Sequence, residues 1–312
     1  MAQSAPLIVR LLALSTRIAA RAGNIIKDVM TKGELGIVEK GSGVNDLQTE
    51  ADRSAQRCIV ASLLKQFPNV TIIGEEGPHN EEDNIPSEWL VTDMDETVLN
   101  SNYPNDLKAI NPDDIVVWVD PLDGTSEYTQ GLLDHVTVLI GLAVKGKPIG
   151  GVIHQPYHNY KTEKDAKGRT LWGLVGIGVG GFVPFEPPSD KFIITTTRSH
   201  SDAIVTKALE ALNPDEIIRV GGAGHKVMML LEGKAHAYVF ASKGCKRWDT
   251  CAPEGILRAL GGVITDIHGR DYDYSKDVSY PNAQGVFGTT KYVNHQTLIG
   301  KIPQDLKDRF PY

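Results

Sequence analysis

The chain has 312 residues, of which 41% are hydrophobic and 23% charged, and its formal net charge is −7 at pH 7. This composition is typical of a globular protein with two modest domains or one large one. It excludes the excess of Lys and Arg that binding to a nucleic-acid backbone requires. An acidic protein that acts on an anionic substrate needs local cations, and bound metal ions would supply them. The three cysteines form no CxxC pair, so we expect no disulfide framework and a reducing, cytoplasmic location.

The N-terminal region predicts two helices. Apolar residues recur every three or four positions from Leu7 to Val29, with basic residues between them. This pattern predicts a core-facing helix that ends near Gly33, and neither a membrane span nor a cleavable leader. After an extended segment at 36–40, a second helix is predicted from about Asp46, as its N-cap, to Phe67.

Two apolar runs each end on carboxylates. Residues 70–74 lead into Glu75 and Glu76, and the uninterrupted run 115–119, typical of a strand buried on both faces, leads into Asp120. Between them, residues 77–114 contain ten Asp and Glu residues against one lysine, with four prolines. We interpret this segment as a solvated insertion with at most one short helix.

The rest of the chain predicts two kinds of sheet. Closely spaced strands with Gly and Pro between them predict an antiparallel sheet, at 136–144, 149–155, 170–175 and 181–185. From Phe192 onward strands alternate with helices, with strands at 192–197, 217–220, 235–241 and 263–267 and helices at 202–212, 225–231 and 249–260. This order of strands and helices predicts an α+β domain over residues 1–188 and an α/β domain over residues 189–312.

The segment Trp118-Val-Asp-Pro-Leu-Asp-Gly-Thr125 is the most informative motif. A hydrophobic strand delivers Asp120 and Asp123 onto a sharp turn, which also presents the carbonyl of Leu122 and the hydroxyl of Thr125. Hard divalent cations such as Mg²⁺ prefer oxygen ligands of this kind. Taken alone, the motif fits equally well a strand-end turn in which Asp caps a helix.

Three further segments carry candidate site residues, and each has a structural alternative that is favoured in isolation. Glu75 ends a strand, where it fits a solvated loop edge. Asp249 starts a helix whose first turn tolerates Pro253, where it fits an ordinary N-cap. Thr49 and Asp52 share one face of a helix, where they fit an exposed capped end.

Together and in this order, the four segments resemble the superfamily of lithium-sensitive, magnesium-dependent phosphatases that includes inositol monophosphatase. The similarity spans nearly the whole chain, and the Asp-Pro-Leu-Asp-Gly-Thr block with a downstream Trp248-Asp249 is its most specific part. Within the superfamily, residues 46–49, 72–76, 195–200, 220–224 and 244–249 are most similar to the 3'(2'),5'-bisphosphate nucleotidases. The resemblance implies an α/β fold, a layered α/β/α/β/α sandwich of the inositol monophosphatase and fructose-1,6-bisphosphatase type.

The resemblance also implies the roles of the site residues. Two or three Mg²⁺ ions would be bound by Glu75, Asp120, Asp123, Asp249 and the carbonyl of Leu122. Close carboxylates repel one another by roughly 4 kcal/mol per pair at an effective dielectric constant near 20, so such a cluster needs cations. Thr125 and Asp52 would orient and deprotonate the attacking water, with no covalent phospho-enzyme, and Li⁺ would inhibit.

The substrate-binding residues follow from the same resemblance. The glycines at 221–224 precede a helix whose N-terminal N–H groups can hold a phosphate. The resemblance implies nucleotide contacts from Thr197, His200, Gly222 and Lys226. A capping or surface role for His200 fits equally well, and His225 stands where the family pattern suggests a smaller polar residue.

We therefore expect a monomeric enzyme that converts 3'-phosphoadenosine 5'-phosphate to AMP and phosphate. An inositol phosphate phosphatase of the same superfamily is the alternative, and inositol 1,4-bisphosphate is a further candidate substrate. We expect no nucleic-acid or membrane partner. A metal-dependent binding protein without catalysis is disfavoured, because binding alone needs no Thr125–Asp52 pair.

Two other motifs are discounted. Residues 93–97 match the DxDxT motif of phosphatases that form an aspartyl-phosphate, but only Leu90 and Val91 precede Asp93 as an apolar run. Residues 176–181 match GxGxxG, yet no helix follows, and we predict a glycine-rich hairpin instead.

Overall fold

The computed structural model describes residues 5–40, 47–78, 85–198 and 202–311, which form two large β-sheets and one two-stranded sheet. In these ranges the helices are α1 (Leu7–Lys32), α2 (Glu50–Gln66), α3 (Glu96–Leu99), α4 (Thr125–Thr129), α5 (Ala203–Leu212), α6 (Ala223–Leu231), α7 (Arg247–Ala259), α8 (His295–Lys301) and α9 (Gln304–Lys307). The strands are β1 (Val38–Glu39), β2 (Leu47–Gln48), β3 (Thr71–Gly74), β4 (Ile115–Asp123), β5 (Thr137–Val144), β6 (Lys147–Gln155), β7 (Arg169–Leu174), β8 (Gly178–Gly180), β9 (Ile193–Thr197), β10 (Glu216–Val220), β11 (Ala237–Phe240), β12 (Val263–Thr265) and β13 (Val286–Thr289).

The first sheet has the strand order β3-β4-β5-β6-β7-β8. Strand β3 is parallel to β4, and the later neighbours are antiparallel. The predicted antiparallel sheet is therefore confirmed, but the strand predicted at 181–185 is wrong. The last strand ends at Gly180, and Gly181 follows it with a φ of 81°, which is outside the extended region.

The second sheet has the order β10-β9-β11-β13-β12. Strands β10, β9 and β11 are parallel, and β13 is antiparallel to both of its neighbours. The α/β alternation predicted from Phe192 is confirmed. Strand β13 was not predicted, because a four-residue run that contains Gly288 gives a weak strand signal.

Hydrophobic clusters stack these elements in five layers. The first cluster packs α1 and α2 on one face of the six-stranded sheet, where Ile18, Ile59 and Ile140 meet. The second lies between the two sheets around α6 and α7, and includes Leu139 from the opposite face of β5. The third packs α5 and α8 against the outer face of the five-stranded sheet. This order agrees with the α/β/α/β/α sandwich expected from the resemblance.

Two helix starts differ from the prediction. Helix α2 begins at Glu50, because Thr49 is its N-cap and accepts a hydrogen bond from the N–H of Asp52; the predicted N-cap, Asp46, lies outside the described residues. Helix α7 begins at Arg247, so Asp249 is its third residue and Pro253 lies in the second turn. The predicted end of α1 at Gly33 is confirmed, with the left-handed φ of 76° that favours glycine.

The acidic segment is less solvated than predicted. In its described part, 85–114, α3 and short 3₁₀ segments alternate with loops. Val91, Val98 and Leu107 are buried in the first hydrophobic cluster. The segment therefore covers the core through single apolar side chains, which leave no periodic pattern in the sequence.

The predicted domain boundary near residues 188 and 189 falls between the sheets, since β8 ends at Gly180 and β9 begins at Ile193. Helix α7 comes after β9 in the chain, yet it also packs on the first sheet. Gly151 of β6 lies so close to Ala252 of α7 that a Cβ on the glycine would be 2.5 Å from the carbonyl oxygen of Ala252. The division into two domains stays a prediction.

Candidate active site

The end of β4 places two carboxylates in one buried position. All nine residues of β4 are buried, including Asp120 and Asp123. Asp120 lies opposite Leu139 and Asp123 opposite Thr137, so β4 has one extra residue at this point. Side chains three apart in a regular strand point to opposite faces, and the bulge lets both carboxylates face the same cleft.

Helix α7 adds a third carboxylate. The N–H of Lys246 donates to Asp249 Oδ2 at 2.6 Å, which fixes the side chain at the helix start. Ligand oxygens of Asp120, Asp123 and Asp249 all lie within 4.8 Å of one another. A group of three carboxylates suits a hard divalent cation, for which oxygen is the preferred ligand.

Electrostatics at this group favours a bound cation. Burial raises the pKa of Asp120 well above its usual value, and the charges of Glu75, Asp123 and Asp249 raise it further. Burial, Glu75 and Asp123 likewise raise the pKa of Asp249 to about 7. Carboxylates that resist ionisation in this way are stabilised as anions when a cation lies between them. The donor set and its charge therefore fit a divalent metal.

Glu75 lies beside this group, but its carboxylate is not among the three that gather within 4.8 Å. It follows β3, and its N–H donates to the carbonyl of Val119 at 3.0 Å. Its carboxylate forms an ion pair of 3.0 Å with Lys40, which also pairs with Glu76 at 2.6 Å. Lys40 was not a candidate in the sequence, because an extended segment far from the motifs gives no signal for this contact.

The predicted Thr125–Asp52 pair is brought together. Thr125 Oγ1 donates to Asp52 Oδ1 at 3.1 Å and lies equally close to the carbonyl oxygen of Leu122. Asp52 is fully buried at the third position of α2, where the N–H of Thr49 donates to it at 2.7 Å. Burial raises the pKa of Asp52 to about 7, and the charge of Glu76 raises it further, while hydrogen bonds from Thr49 oppose the shift.

The first turn of α6 differs in detail from the expectation. The N–H groups of Ala223 and Gly224 each donate to the Asp123 carboxylate at 2.8 Å. These donors therefore position Asp123 instead of facing open solvent. Gly222 has a φ of 70°, and a Cβ there would lie 2.7 Å from the carbonyl oxygen of His135, so glycine is required on both counts.

A cleft of about 180 Å³ joins most of these groups. Of the candidates, it is lined by Asp123, Thr125, Thr197, Gly222, Lys226 and Asp249. Thr197 is buried at the end of β9, and the buried ammonium of Lys226 donates to the carbonyl of Gly222 at 2.9 Å. His200 lies outside the described residues.

Several residues of the cleft were missed by the sequence analysis. Tyr238, Phe240 and Cys245 line it, and Thr137 donates to Asp123 Oδ2 at 2.7 Å. Glu127 lies against Gly221, where a Cβ would lie 2.1 Å from the carboxyl carbon of Glu127. The one available signal was the position of Thr137 at the start of β5, next to the end of β4.

The discounted motifs can now be placed. Asp93 is 65% exposed and forms an ion pair of 2.9 Å with Arg17, and the residues before it, 90–92, form no strand. The aspartyl-phosphate motif therefore lacks its structural context. Gly178–Gly180 pairs antiparallel with β7, which confirms the predicted hairpin.

The fold and the carboxylate site define a class of phosphatases. The model of the inositol monophosphatase family matches residues 9–306. The chain belongs to this family.

Two relatives each match at least 94% of this chain. It is 52% identical over 309 residues to 3'(2'),5'-bisphosphate nucleotidase 1 from Homo sapiens, with 99% of both chains covered. It is 32% identical to the Golgi-resident adenosine 3',5'-bisphosphate 3'-phosphatase from Mus musculus, with 94% of this chain and 80% of that one covered.

Solved structures confirm the predicted fold class. An IMPase from Thermotoga maritima superposes with a TM-score of 0.67 at 21% identity, covering 95% of this chain and 98% of that one. Within the described ranges, every helix is too short or too polar to cross a membrane.

Proposed function

We propose that the chain is a Mg²⁺-dependent phosphatase that hydrolyses the 3'-phosphate of 3'-phosphoadenosine 5'-phosphate, giving AMP and phosphate. The observation that carries the proposal is the convergence of Asp120, Asp123 and Asp249 beside the Thr125–Asp52 pair. The substrate is supported by the 52% identity to a protein named as a bisphosphate nucleotidase. The 3'-specificity is supported by the more distant relative named as a 3'-phosphatase.

The metal would be held by side chains from three distant parts of the chain. Asp120, Asp123 and Asp249 supply the central carboxylates, with Glu75 and the carbonyl of Leu122 as further ligands for two or three ions. Bound Mg²⁺ supplies charge neutralisation at the phosphoryl group and lowers the pKa of water. Glu75 would be available as a ligand only after release of its ion pair of 3.0 Å with Lys40. Li⁺ is expected to inhibit at the same site.

The Thr125–Asp52 pair is proposed to handle the proton of the attacking water. Thr125 Oγ1 lines the cleft and donates to Asp52 Oδ1. A water that donates to Thr125 Oγ1 passes its proton along this hydrogen bond to Asp52. Because burial raises the pKa of Asp52 to about 7, the carboxyl is near the pKa that suits a general base at neutral pH.

The substrate would be held at the first turn of α6, next to the Asp123 carboxylate. Lys226 supplies a buried positive charge for a phosphate, while Gly222 lets the backbone approach closely. Thr197 and His200 complete the proposed nucleotide contacts. The enzyme is proposed to act as a monomer in the cytoplasm.

A phosphate-release assay over a substrate panel tests the proposal. The panel contains 3'-phosphoadenosine 5'-phosphate, inositol 1-phosphate and inositol 1,4-bisphosphate, each with and without Mg²⁺ and with added Li⁺. We expect the highest kcat/KM on the nucleotide, no turnover without Mg²⁺, and inhibition by Li⁺. A higher kcat/KM on an inositol phosphate would show that the proposed substrate is wrong. Full turnover in the presence of a metal chelator would overturn the proposed mechanism.

A further inference from the structure

A second cleft, much larger than the catalytic one, lies on the other side of α6. Its volume is about 690 Å³, within the range of small-molecule sites. It shares no lining residue with the catalytic cleft. Its polar wall includes Asp134, Gln155, Lys161, Arg169, Glu232 and Lys234.

The charges of this wall leave one positive charge in excess. Lys161 pairs with Asp134, while Arg169 and Lys234 both pair with the single carboxylate of Glu232, at 2.5 and 2.7 Å. The Glu232 side chain is only 10% exposed. The arrangement therefore holds two cations over one buried carboxylate at the cleft, where an entering anion can accept hydrogen bonds from them.

His225 is a polar residue of α6 at the same cleft. It lines the cleft and is 92% buried, and its Nδ1 has no hydrogen-bond partner among the described residues. Its ring packs against that of His135, with the centroids 4.9 Å apart and the planes tilted by 38°. Buried polar atoms are normally paired, because leaving one unpaired opposes folding. Because Nδ1 is closed off from solvent, a ligand in the cleft would pack beside the imidazole ring and would form no hydrogen bond to this atom.

The cleft also has an apolar part. It consists of Phe182, Val183, Phe185 and Met229. Val183 and Phe185 are 67% and 63% exposed, so apolar surface is open to solvent at the cleft. An aromatic or aliphatic group placed here would cover them.

We propose that this cleft is a second ligand site, separate from the catalytic centre, which binds a small organic anion with an apolar body. The acidic group binds between Arg169, Lys161 and Lys234. The apolar body packs on Val183, Phe185 and Met229, beside the imidazole ring of His225. The proposal is independent of the proposed function, since it uses none of the catalytic residues.

Titration of the full chain with 8-anilinonaphthalene-1-sulfonate, followed by its fluorescence, tests the site, because this probe joins an aromatic body to an anionic group. We expect one saturable site per chain. Val183→Asp should weaken binding by about tenfold or more, through repulsion of the sulfonate and loss of apolar contact. Val175→Asp is the matched control, because it adds the same charge at an exposed position beyond the opposite end of β7.

A second pair of variants tests the cations. Lys161→Gln combined with Lys234→Gln should weaken probe binding by about fivefold or more. Lys191→Gln combined with Lys207→Gln removes two exposed, ion-paired lysines elsewhere and should leave binding within about twofold. All four lysine side chains are at least half exposed, so we expect both double variants to fold. Circular dichroism checks that they do. Non-saturable binding, or equal effects within either pair of variants, would overturn the proposal.

Discussion

Individual carboxylates of the site are buried where their charge is costly, and each is held by specific donors. Asp123 accepts hydrogen bonds from Thr137 and from two N–H groups of α6. Asp52 accepts from the N–H of Thr49 and from Thr125. These donors fix the carboxylates in place before any metal or substrate binds, which limits reorganisation during the reaction.

Thr125→Ala should lower kcat by about a hundredfold or more, because it removes the hydroxyl that relays a proton to Asp52. KM should change little, since Thr125 has no proposed substrate contact. Thr125→Ser keeps a hydroxyl at the same position and is the control, with most of the activity retained. Steady-state kinetics on 3'-phosphoadenosine 5'-phosphate measures both variants, and an unchanged kcat in Thr125→Ala would exclude the proton relay.

Asp93→Asn should leave kcat within about twofold of the wild-type value, because Asp93 is an exposed residue whose ion pair with Arg17 contributes little. The same assay measures it, with Asp120→Asn as the inactive comparison. Loss of turnover in Asp93→Asn would instead support nucleophilic attack by this residue.

The carboxylates at the strand ends could be predicted from the sequence, but several of their neighbours could not. Asp120 and Asp123 follow a buried apolar run and precede a Pro/Gly turn, which is a local pattern. Lys40 reaches the site through a tertiary contact that leaves no local pattern, whereas Glu127 lies two residues after Thr125 in the first turn of α4 and was overlooked. The N-cap of α2 was misplaced because Asp46 and Thr49 are both good capping residues, and only the pairing of β1 with β2 favours Thr49.

At the scale of elements, helix α7 packs between the two large sheets. Glycines on the helix and on the facing strands allow their backbones to approach closely. A Cβ at Gly141 would lie 2.6 Å from the backbone nitrogen of Ala252, and a Cβ at Gly255 would lie 2.3 Å from the carbonyl oxygen of Gly150. Because backbone atoms cannot move aside cheaply, these glycines fix the depth of α7, and with it the position of Asp249.

Gly151→Ala should destabilise the protein by about 1–3 kcal/mol or more, because its Cβ would overlap the backbone of Ala252. The control is Gly300→Ala in α8, where a Cβ meets nothing within 4 Å, and a gain of about 0.5–1 kcal/mol is expected. Urea unfolding measures both free energies. Equal stability of the two variants would show that α7 does not pack tightly against β6.

Glu254 in α7 makes a pH-dependent contribution to stability. Burial raises the pKa of this carboxyl to about 7, against the lowering effects of Arg258 and Tyr274. The group is protonated more readily in the folded chain, so its contribution is fully present below the unfolded pKa of about 4.5 and is lost as the pH rises through about 7.

The stability of wild type relative to Glu254→Gln should therefore fall between about pH 4.5 and pH 7 and then level off, with a total loss of about 3 kcal/mol. Urea unfolding of both proteins at each pH measures this difference in the free energy of unfolding. The other titrating groups are the same in both proteins, so their contributions cancel. A difference that stays constant across this range would show that Glu254 has an ordinary pKa.

On the scale of the whole molecule, the site exists because five layers bring distant segments together. Asp120 and Asp123 come from the first sheet, Asp249 from the helix layer between the sheets, and Thr197 from the second sheet. The sequence identified these segments through their resemblance to a known superfamily. It did not predict the larger second cleft, because the residues that line it come from four separated stretches without a shared motif.

Binding of Mg²⁺ to Asp249→Asn, measured by isothermal titration calorimetry, tests most directly whether the distant carboxylates form one metal site. Asp120→Asn and Asp249→Asn should both weaken binding by about tenfold or more, because each removes a ligand charge. Asp305→Asn, at a 64% exposed carboxylate outside the site, should bind as wild type does. If Asp249→Asn also bound Mg²⁺ like wild type, the two halves of the chain would not share a metal site.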